Sequence, residues 1–203
     1  TSPGAYDDDL NGTFSRDAFL TKFDNNLSSP APQILEQPVS TQACENDTAF
    51  FSLLIDDETN VNYQWYQDSG SGFVQISGAT NDSLYLPLSI AMDGSEIYCE
   101  VSNAGGVIHS DTVNLLVDAL IPAVAGDDQN LCENFSTILA ADSPAPGSGL
   151  WSLYYGEGDI TSPTMQNSQV TNLGNGENAF IWEVTNATCV STDTMSVCVD
   201  TII

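Results

Sequence analysis

Apolar and polar residues alternate in short runs along most of the chain, and almost no stretch repeats with the period of a helix. The first half has the runs AFFSLLI (49–55), VNYQWYQ (61–67), GFVQIS (72–77), SLYLPL (83–88), EIYCEVSN (96–103) and TVNLLV (112–117). The second half has STILAA (136–141), LWSLYY (150–155), SQVTNL (168–173), NAFIWEVT (178–185) and TMSVCV (194–199). Glycine-rich, turn-forming sequences separate these runs, and this spacing predicts an all-β protein made of sandwiches.

The two halves of the sequence have the same layout. Each starts with a proline-containing segment and continues with an acidic turn around a cysteine, ACEND at 43–47 and LCENF at 131–135. A tryptophan-bearing run and a late run near a further cysteine follow in each half. We therefore predict two tandem sandwiches, at residues 34–118 and 119–203. Residues 1–33 match neither half, and we interpret them as an N-terminal arm or linker.

The charge of the chain limits its partners. There are 28 acidic residues against two basic ones, Arg16 and Lys22, which gives a net charge of −26. Nucleic acid is excluded as a partner, because binding phosphates requires clustered Lys or Arg, and an anionic membrane surface is disfavoured. No apolar run approaches the roughly 18 residues of a membrane helix, so no membrane insertion is expected. Copies of the chain, neighbouring modules, glycans and cations remain as partners.

The sequence DDDLNGTFSRDAF (7–19) has the spacing of a calcium-binding loop. The candidate ligands are Asp7, Asp9, Asn11, Thr13 and Asp17. Gly12 stands at the turn position, but Ala18 stands at the twelfth position, where a bidentate Glu is expected. Two interpretations stay open, a weakened Ca²⁺ site and a solvated acidic linker.

A second group of carboxylates lies near the junction of the two halves. Asp118, Asp127 and Asp128 could share a calcium ion that stiffens the junction, and acidic turns without metal are the alternative.

Catalysis has little support in the sequence. The only histidine, His109, is followed by Ser110 and Asp111 in a predicted strand. Consecutive strand residues point to opposite faces, so these three side chains cannot meet as a catalytic triad. We predict that the chain is not an enzyme.

The first half resembles immunoglobulin-like domains. The resemblance is carried by Trp65 with Tyr66 and by the sequence DGSEIYCEVSNAGG (93–106), although Ile97 stands where these domains have a tyrosine. It implies a sandwich with Trp65 in its core, and we expect Trp151 and Trp182 to be core residues in the second half.

The second half resembles a repeat module of surface proteins in the phylum Bacteroidota. The matching sequences are PAVAGDDQNLCEN, GLWSLYYGEGDI and VTNLGNGENAFIWEVTNATC, so the resemblance covers nearly all of residues 119–200. Those modules are immunoglobulin-like or polycystic-kidney-disease-type sandwiches. The resemblance implies export through the type IX secretion system, placement outside the cell or on the bacterial cell surface, and a structural or adhesive role.

Five Asp-Ser/Thr-apolar sequences resemble the O-glycosylation sites of the same phylum. The candidate acceptors are Thr48, Ser83, Thr112, Thr194 and Thr201.

Five cysteines in a β-rich chain with only one lysine indicate disulfides and hence export. From the resemblance we expect one cystine in each sandwich, Cys44 with Cys99 and Cys132 with Cys189. Each would close a loop worth roughly 4 kcal/mol in the chain-entropy account. Cys198 remains, either as a buried free thiol or as one half of an intermolecular bridge.

These observations favour a non-catalytic extracellular building block of a cell-surface adhesin or filament. The arm is too apolar for a simple tether, and we predict that it docks on a neighbouring module to give head-to-tail assembly. Its apolar residues are Phe14, Phe19, Leu20 and Phe23. A glycan- or protein-binding module with an exposed aromatic patch, for which Tyr154 and Tyr155 are candidates, is one alternative. An accessory domain of a larger secreted enzyme is another.

Overall fold

The computed structural model describes residues 30–200, which form two β-sandwiches, one after the other along the chain. The first contains β1 (Ile34–Glu36), β2 (Thr41–Cys44), β3 (Thr48–Ser52), β4 (Leu54–Ile55), β5 (Asn62–Asp68), β6 (Val74–Gln75), β7 (Ser83–Pro87), a 3-10 helix (Ile90–Met92), β8 (Ser95–Asn103), β9 (Gly106–His109) and β10 (Val113–Asp118). The second contains β11 (Gln129–Cys132), β12 (Thr137–Ile138), β13 (Ser148–Tyr155), β14 (Asp159–Ile160), β15 (Gln169–Thr171), β16 (Gly176–Asn186) and β17 (Cys189–Asp200). The all-β prediction of tandem immunoglobulin-like sandwiches is confirmed.

The first sandwich packs a six-stranded sheet against two short strand pairs. The large sheet has the order β2-β10-β8-β5-β6, and β9 pairs with β8. Strands β2 and β10 run parallel, whereas the other neighbours in this sheet are antiparallel. The opposing layer consists of the pairs β3-β7 and β1-β4. Alternation along β8 buries Ile97, Cys99 and Val101 completely against Trp65 and Leu115, which explains the period of two in the sequence.

The second sandwich repeats this plan with fewer strands. One sheet has the order β11-β17-β16-β13 and the other the order β12-β15-β14. Strand β11 is parallel to β17, as β2 is to β10. Trp151 and Trp182 lie in the core, as Trp65 does in the first sandwich, so all three predicted core tryptophans are confirmed.

Strand register shows which positions of the two sandwiches correspond. Trp65 lies opposite Cys99, and Trp151 lies opposite Trp182. The indole N–H of Trp65 donates to the carbonyl oxygen of Asn81 at 2.9 Å, and that of Trp151 donates to the carbonyl oxygen of Gln166 at 3.1 Å. Trp151 therefore takes the place of Trp65, and Trp182 takes the place of Cys99.

The pairing of Cys44 with Cys99 expected from the sequence is wrong. Cys99 is a buried free thiol, and its backbone bonds to Ser110. Cys44 lies at the other end of this sheet, opposite Asp118. Ser110 and Asp118 are eight residues apart, which corresponds to roughly 25 Å along extended chain. Burial raises the pKa of the Cys99 thiol to about 12.

The pairing of Cys132 with Cys189 is wrong for the same reason. Cys132 lies opposite Asp200, the last residue of β17, whereas Cys189 is the first residue of that strand. A strand of this length separates its ends by roughly 35 Å. Cys132 is an exposed thiol, and Cys198 is a half-buried thiol rather than a fully buried one.

Candidate functional site

The junction between the two sandwiches is closed by a disulfide bond. Strand β2 of the first sandwich ends at Cys44, and the hairpin between β16 and β17 of the second places Cys189 against it. The two Cα atoms are 4.9 Å apart, within the range of ordinary cystines, although the residues are 145 positions apart in sequence. The bond therefore joins one sandwich to the other instead of stapling either one internally.

Asp118 is the second link across the junction. It is the last residue of β10, and its carboxylate accepts hydrogen bonds from the Thr188 hydroxyl at 2.6 Å and the Thr188 backbone N–H at 3.0 Å. The Gln42 side-chain amide donates to the same carboxylate at 3.0 and 3.1 Å. The bonds from Thr188, hydroxyl first, and then from Gln42 lower the pKa of Asp118. The first sandwich thus presents an ionised acceptor to the hairpin of the second.

The segment after Asp118 is bound along the second sandwich. The Asn186 side-chain amide donates to the carbonyl oxygen of Ala119 at 2.8 Å, and the Ser191 hydroxyl donates to that of Ile121 at 2.6 Å. Further on, the backbone N–H of Ala125 donates to Asp193 at 2.8 Å. Covalent and hydrogen-bonded contacts together leave this linker little freedom, so the arrangement is suited to fixing one domain on the next.

The junction carboxylates do not form the predicted calcium site. Asp118 is engaged by Thr188, and Asp128 accepts a bond from the backbone N–H of Ser196 at 2.7 Å. Within residues 30–200, no group of three or more His, Cys, Asp or Glu residues could hold a metal ion. The predicted calcium loop at residues 7–17 and the predicted assembly residues, Phe14 to Phe23, lie outside the described residues.

The predicted glycosylation acceptors lie in different settings. Thr48, Thr112 and Thr194 are exposed, and Ser83 is half-buried with its hydroxyl bonded to Asp82. Thr201 lies outside the described residues. Their modification stays a prediction.

Residues 109–111 contact the neighbouring strand β8 through His109 and Ser110. His109 is exposed, and its Nε2 lies 3.3 Å from a carboxylate oxygen of Glu100. The Ser110 hydroxyl is buried, accepts a bond from the Cys99 N–H and donates to the carbonyl oxygen of Asp111. The side chains of His109 and Ser110 therefore point to opposite faces, as the sequence predicts.

A cluster of aromatic rings, which we call the aromatic patch, lies on the outer face of the large sheet of the first sandwich. Tyr66 and Tyr98 stack with ring centroids 4.9 Å apart, and Phe73 meets Tyr98 edge-on at 4.8 Å. The imidazole ring of His109 also meets Tyr98 edge-on, with ring centroids 5.4 Å apart. The sequence analysis missed this patch, because Tyr66, Phe73 and Tyr98 belong to three separate runs and His109 lies outside all of them. The predicted candidates Tyr154 and Tyr155 are both exposed, at the end of β13 in the second sandwich.

Sequence reasoning also missed the polar residues of the junction. Thr188, Asn186 and Ser191 bond to residues 67 to 70 positions away in sequence, so these contacts exist only because the two sandwiches meet. Gln42 supports Asp118 from within the first sandwich. One signal was present: the sequence NAGG (103–106) recurs as NATC (186–189), with a cysteine in place of the last glycine.

The chain was compared with known proteins. No protein family and no curated protein matches it. Among solved structures it is similar to the I-band fragment I67–I69 from titin, with 13% identity, a TM-score of 0.47, and coverage of 84% of this chain and 66% of that one. It is also similar to DIP-gamma IG1+IG2, with 11% identity, a TM-score of 0.42, and coverage of 84% and 98%. Titin domains Z1Z2 in complex with telethonin give 16% identity, a TM-score of 0.39, and coverage of 85% and 98%. Separately, none of the helices in residues 30–200 has the length and apolar character needed to cross a membrane.

Proposed function

We propose that the chain is a non-catalytic extracellular building block of a cell-surface adhesin or filament, in which two immunoglobulin-like sandwiches are fixed to each other as one unit. The observation that carries the proposal is the Cys44–Cys189 bond across the junction. A cystine inside a single domain stabilises that domain, whereas one between domains restrains their relative motion. A module that only needs to be folded does not require the second kind.

The same bond supports an extracellular location, because cystines persist in oxidising compartments. The net charge of −26 keeps such a protein soluble and repels nucleic acid and anionic surfaces. The Bacteroidota-like repeat in the second half supports export by the type IX route. Assembly through the arm at residues 1–33 belongs to the same proposal.

The proposal is tested on the native material by electron microscopy with an antibody against this chain. We expect labelling of fibres or rods on the cell exterior. Labelling confined to the cell interior would contradict an extracellular building block.

The role of the arm is tested separately. Deleting residues 1–33 is expected to abolish higher-order species in light scattering, because the apolar residues at 14–23 would no longer reach a neighbouring module. A control with Ser28→Ala and Ser29→Ala leaves those residues intact and is expected to assemble normally. Unchanged assembly of the deleted chain would reject docking through the arm.

The aromatic patch favours a second candidate function, the binding of a glycan. Stacked and partly exposed rings suit the apolar faces of sugar units. Tyr98→Ala, which removes the central ring, is expected to abolish any signal on a glycan array. Tyr154→Ala, on the other sandwich, is the matched control. Equal binding by both variants would exclude the patch as the binding surface.

A further inference from the structure

Cys132 occupies the same place in the second sandwich as Cys44 does in the first. On the parallel strand pair of the first sandwich, Gln42 lies opposite Leu116 and Cys44 opposite Asp118. On the pair of the second, Asn130 lies opposite Cys198 and Cys132 opposite Asp200. The register is identical, so each cysteine ends the strand that runs parallel to the last strand of its sandwich, opposite the aspartate that ends that last strand.

The backbone around the two cysteines repeats as well. The N–H of Glu45 donates to the carbonyl oxygen of Asp118 at 2.9 Å, and the N–H of Glu133 donates to that of Asp200 at 3.0 Å. Both cysteines are followed by Glu and Asn. The sequence VDALI (117–121), which leads from the first sandwich into the second, is also repeated at the far end as VDTII (199–203).

The two sandwiches differ at the other end, where the β8–β9 hairpin of the first and the β16–β17 hairpin of the second contact the chain segment that precedes each sandwich. The Asn103 side-chain amide donates to the carbonyl oxygen of Pro30 at 2.9 Å, as that of Asn186 does to Ala119 at 2.8 Å. In the register of the hairpins, Asn103 lies opposite Gly106 and Asn186 opposite Cys189. The first sandwich therefore has glycine where the second has the cysteine that receives Cys44, so the cross-link has a direction along the chain.

The described part of the chain contains no matching cysteine for Cys132. Cys189 is already bonded to Cys44. Cys198 is offset from Cys132 by two residues along the neighbouring strand, because it lies opposite Asn130. With strands about 4.8 Å apart and a rise of about 6.6 Å over two residues, the two Cα atoms are about 8 Å apart, beyond the usual reach of a disulfide. A second copy of the intact chain cannot supply Cys189, because that residue is engaged.

We propose that Cys132 is the attachment point for a further immunoglobulin-like domain, whose hairpin carries a cysteine at the place of Cys189. The inference rests on the proposed function, because it extends the observed junction into a repeating, directional cross-link. Cys44, the counterpart of Cys132 in the first sandwich, already forms this bond with the hairpin of the next sandwich. The two Sγ atoms join, two protons leave, and two electrons reduce a disulfide of an exported thiol oxidant to two thiols.

The test uses the full chain with one sandwich added. Residues 122–203 are appended directly after Ile203, so that VDTII leads into the added copy as VDALI leads into the second sandwich. The oxidised protein is digested without reduction, and the cross-linked peptides are identified by mass spectrometry. We expect Cys132 to be joined to the hairpin cysteine of the added copy.

The control variants separate the alternatives. Cys132→Ser is expected to abolish the new cross-linked peptide, and Cys198→Ser is expected to leave it unchanged. Cys132 bonded to Cys198, a dimer through two copies of Cys132, or a Cys132 thiol that stays free would each overturn the proposal. The Cys44–Cys189 peptide in the same digest is the internal reference. Its absence counts against the proposed function, whereas its presence beside an unpaired Cys132 overturns only the attachment point.

Discussion

The two sandwiches share the same arrangement of strands, but they place different residues opposite their equivalent core tryptophans, Trp65 and Trp151. In the first, Trp65 lies opposite the small Cys99, and Tyr63 packs at the edge of the core. In the second, Trp151 lies opposite the large Trp182, and the residue two positions before Trp151 is Gly149. A Cβ at Gly149 would lie 2.1 Å from Cζ2 of Trp182, so the glycine makes room for the indole.

This comparison explains where the cystine is found. Immunoglobulin-like domains often place a disulfide against the core tryptophan. Here one sandwich has a single buried thiol at that position and the other has a second tryptophan, so neither core contains a disulfide. The bonded cysteines lie at the ends of the sandwiches instead, where they act between domains.

The largest effect is expected from removing the large partner of the second core. Trp182→Ala should destabilise the second sandwich by about 3 to 5 kcal/mol, because a buried indole leaves a cavity. Cys99→Ala, the matching change in the first sandwich, should cost about 1 kcal/mol. Hydrogen-exchange mass spectrometry in urea reads the two sandwiches separately. Equal losses would contradict the different packing of the two cores.

The next effect concerns the bond between the sandwiches. The double substitution Cys44→Ser and Cys189→Ser should lower the free energy of unfolding by roughly 2 to 4 kcal/mol, because the unfolded chain gains freedom. It should also let the sandwiches move independently, measured as a wider distance distribution in small-angle X-ray scattering. Cys132→Ser, at the matching place in the second sandwich, should change neither quantity in this chain. If the double variant behaved like the parent, the bond would have no role in fixing the junction.

The smallest effect is a dependence on acid. The bonds from Thr188 depress the pKa of Asp118 below its ordinary 3.8. The contribution of this ionised carboxylate to the free energy of unfolding is therefore complete above pH 3.8. It is lost as the pH falls through the depressed value of the folded state. Asp118→Asn should remove this part of the acid sensitivity, whereas Asp200→Asn, the counterpart at the far end, should leave it in place. Urea unfolding across a series of acid pH values measures the difference, and identical profiles would exclude Asp118 as a pH-dependent link.

Much of the fold could be predicted from the alternation of apolar and polar residues. Because side chains along a strand face opposite sides, the pattern located most of the strands and placed Trp65, Trp151 and Trp182 in the cores. It missed β1, β2, β9, β11 and β14, which are short and lie outside the predicted runs. The presence of a disulfide was predictable from composition, but the pairing was not. It depends on β2 running parallel to β10, which takes Cys44 to the end of the sheet far from Cys99.

The junction contacts depend on the same tertiary arrangement. The sequence identifies Asp118 as an acidic residue near the junction, but its partner Thr188 is 70 positions away in sequence. No local pattern links them, because the contact exists only once both sandwiches have folded. The aromatic patch was missed for a similar reason, since Tyr66 and Tyr98 lie on neighbouring strands separated by 32 residues.

The most direct test of the junction is the assignment of cysteine partners in the oxidised full chain, by digestion without reduction and mass spectrometry. A peptide that joins Cys44 to Cys189, with Cys99 recovered as a thiol, is the expected result. Peptides that join Cys44 to Cys99 and Cys132 to Cys189 would mean that each sandwich is stapled within itself, and would contradict the covalent junction.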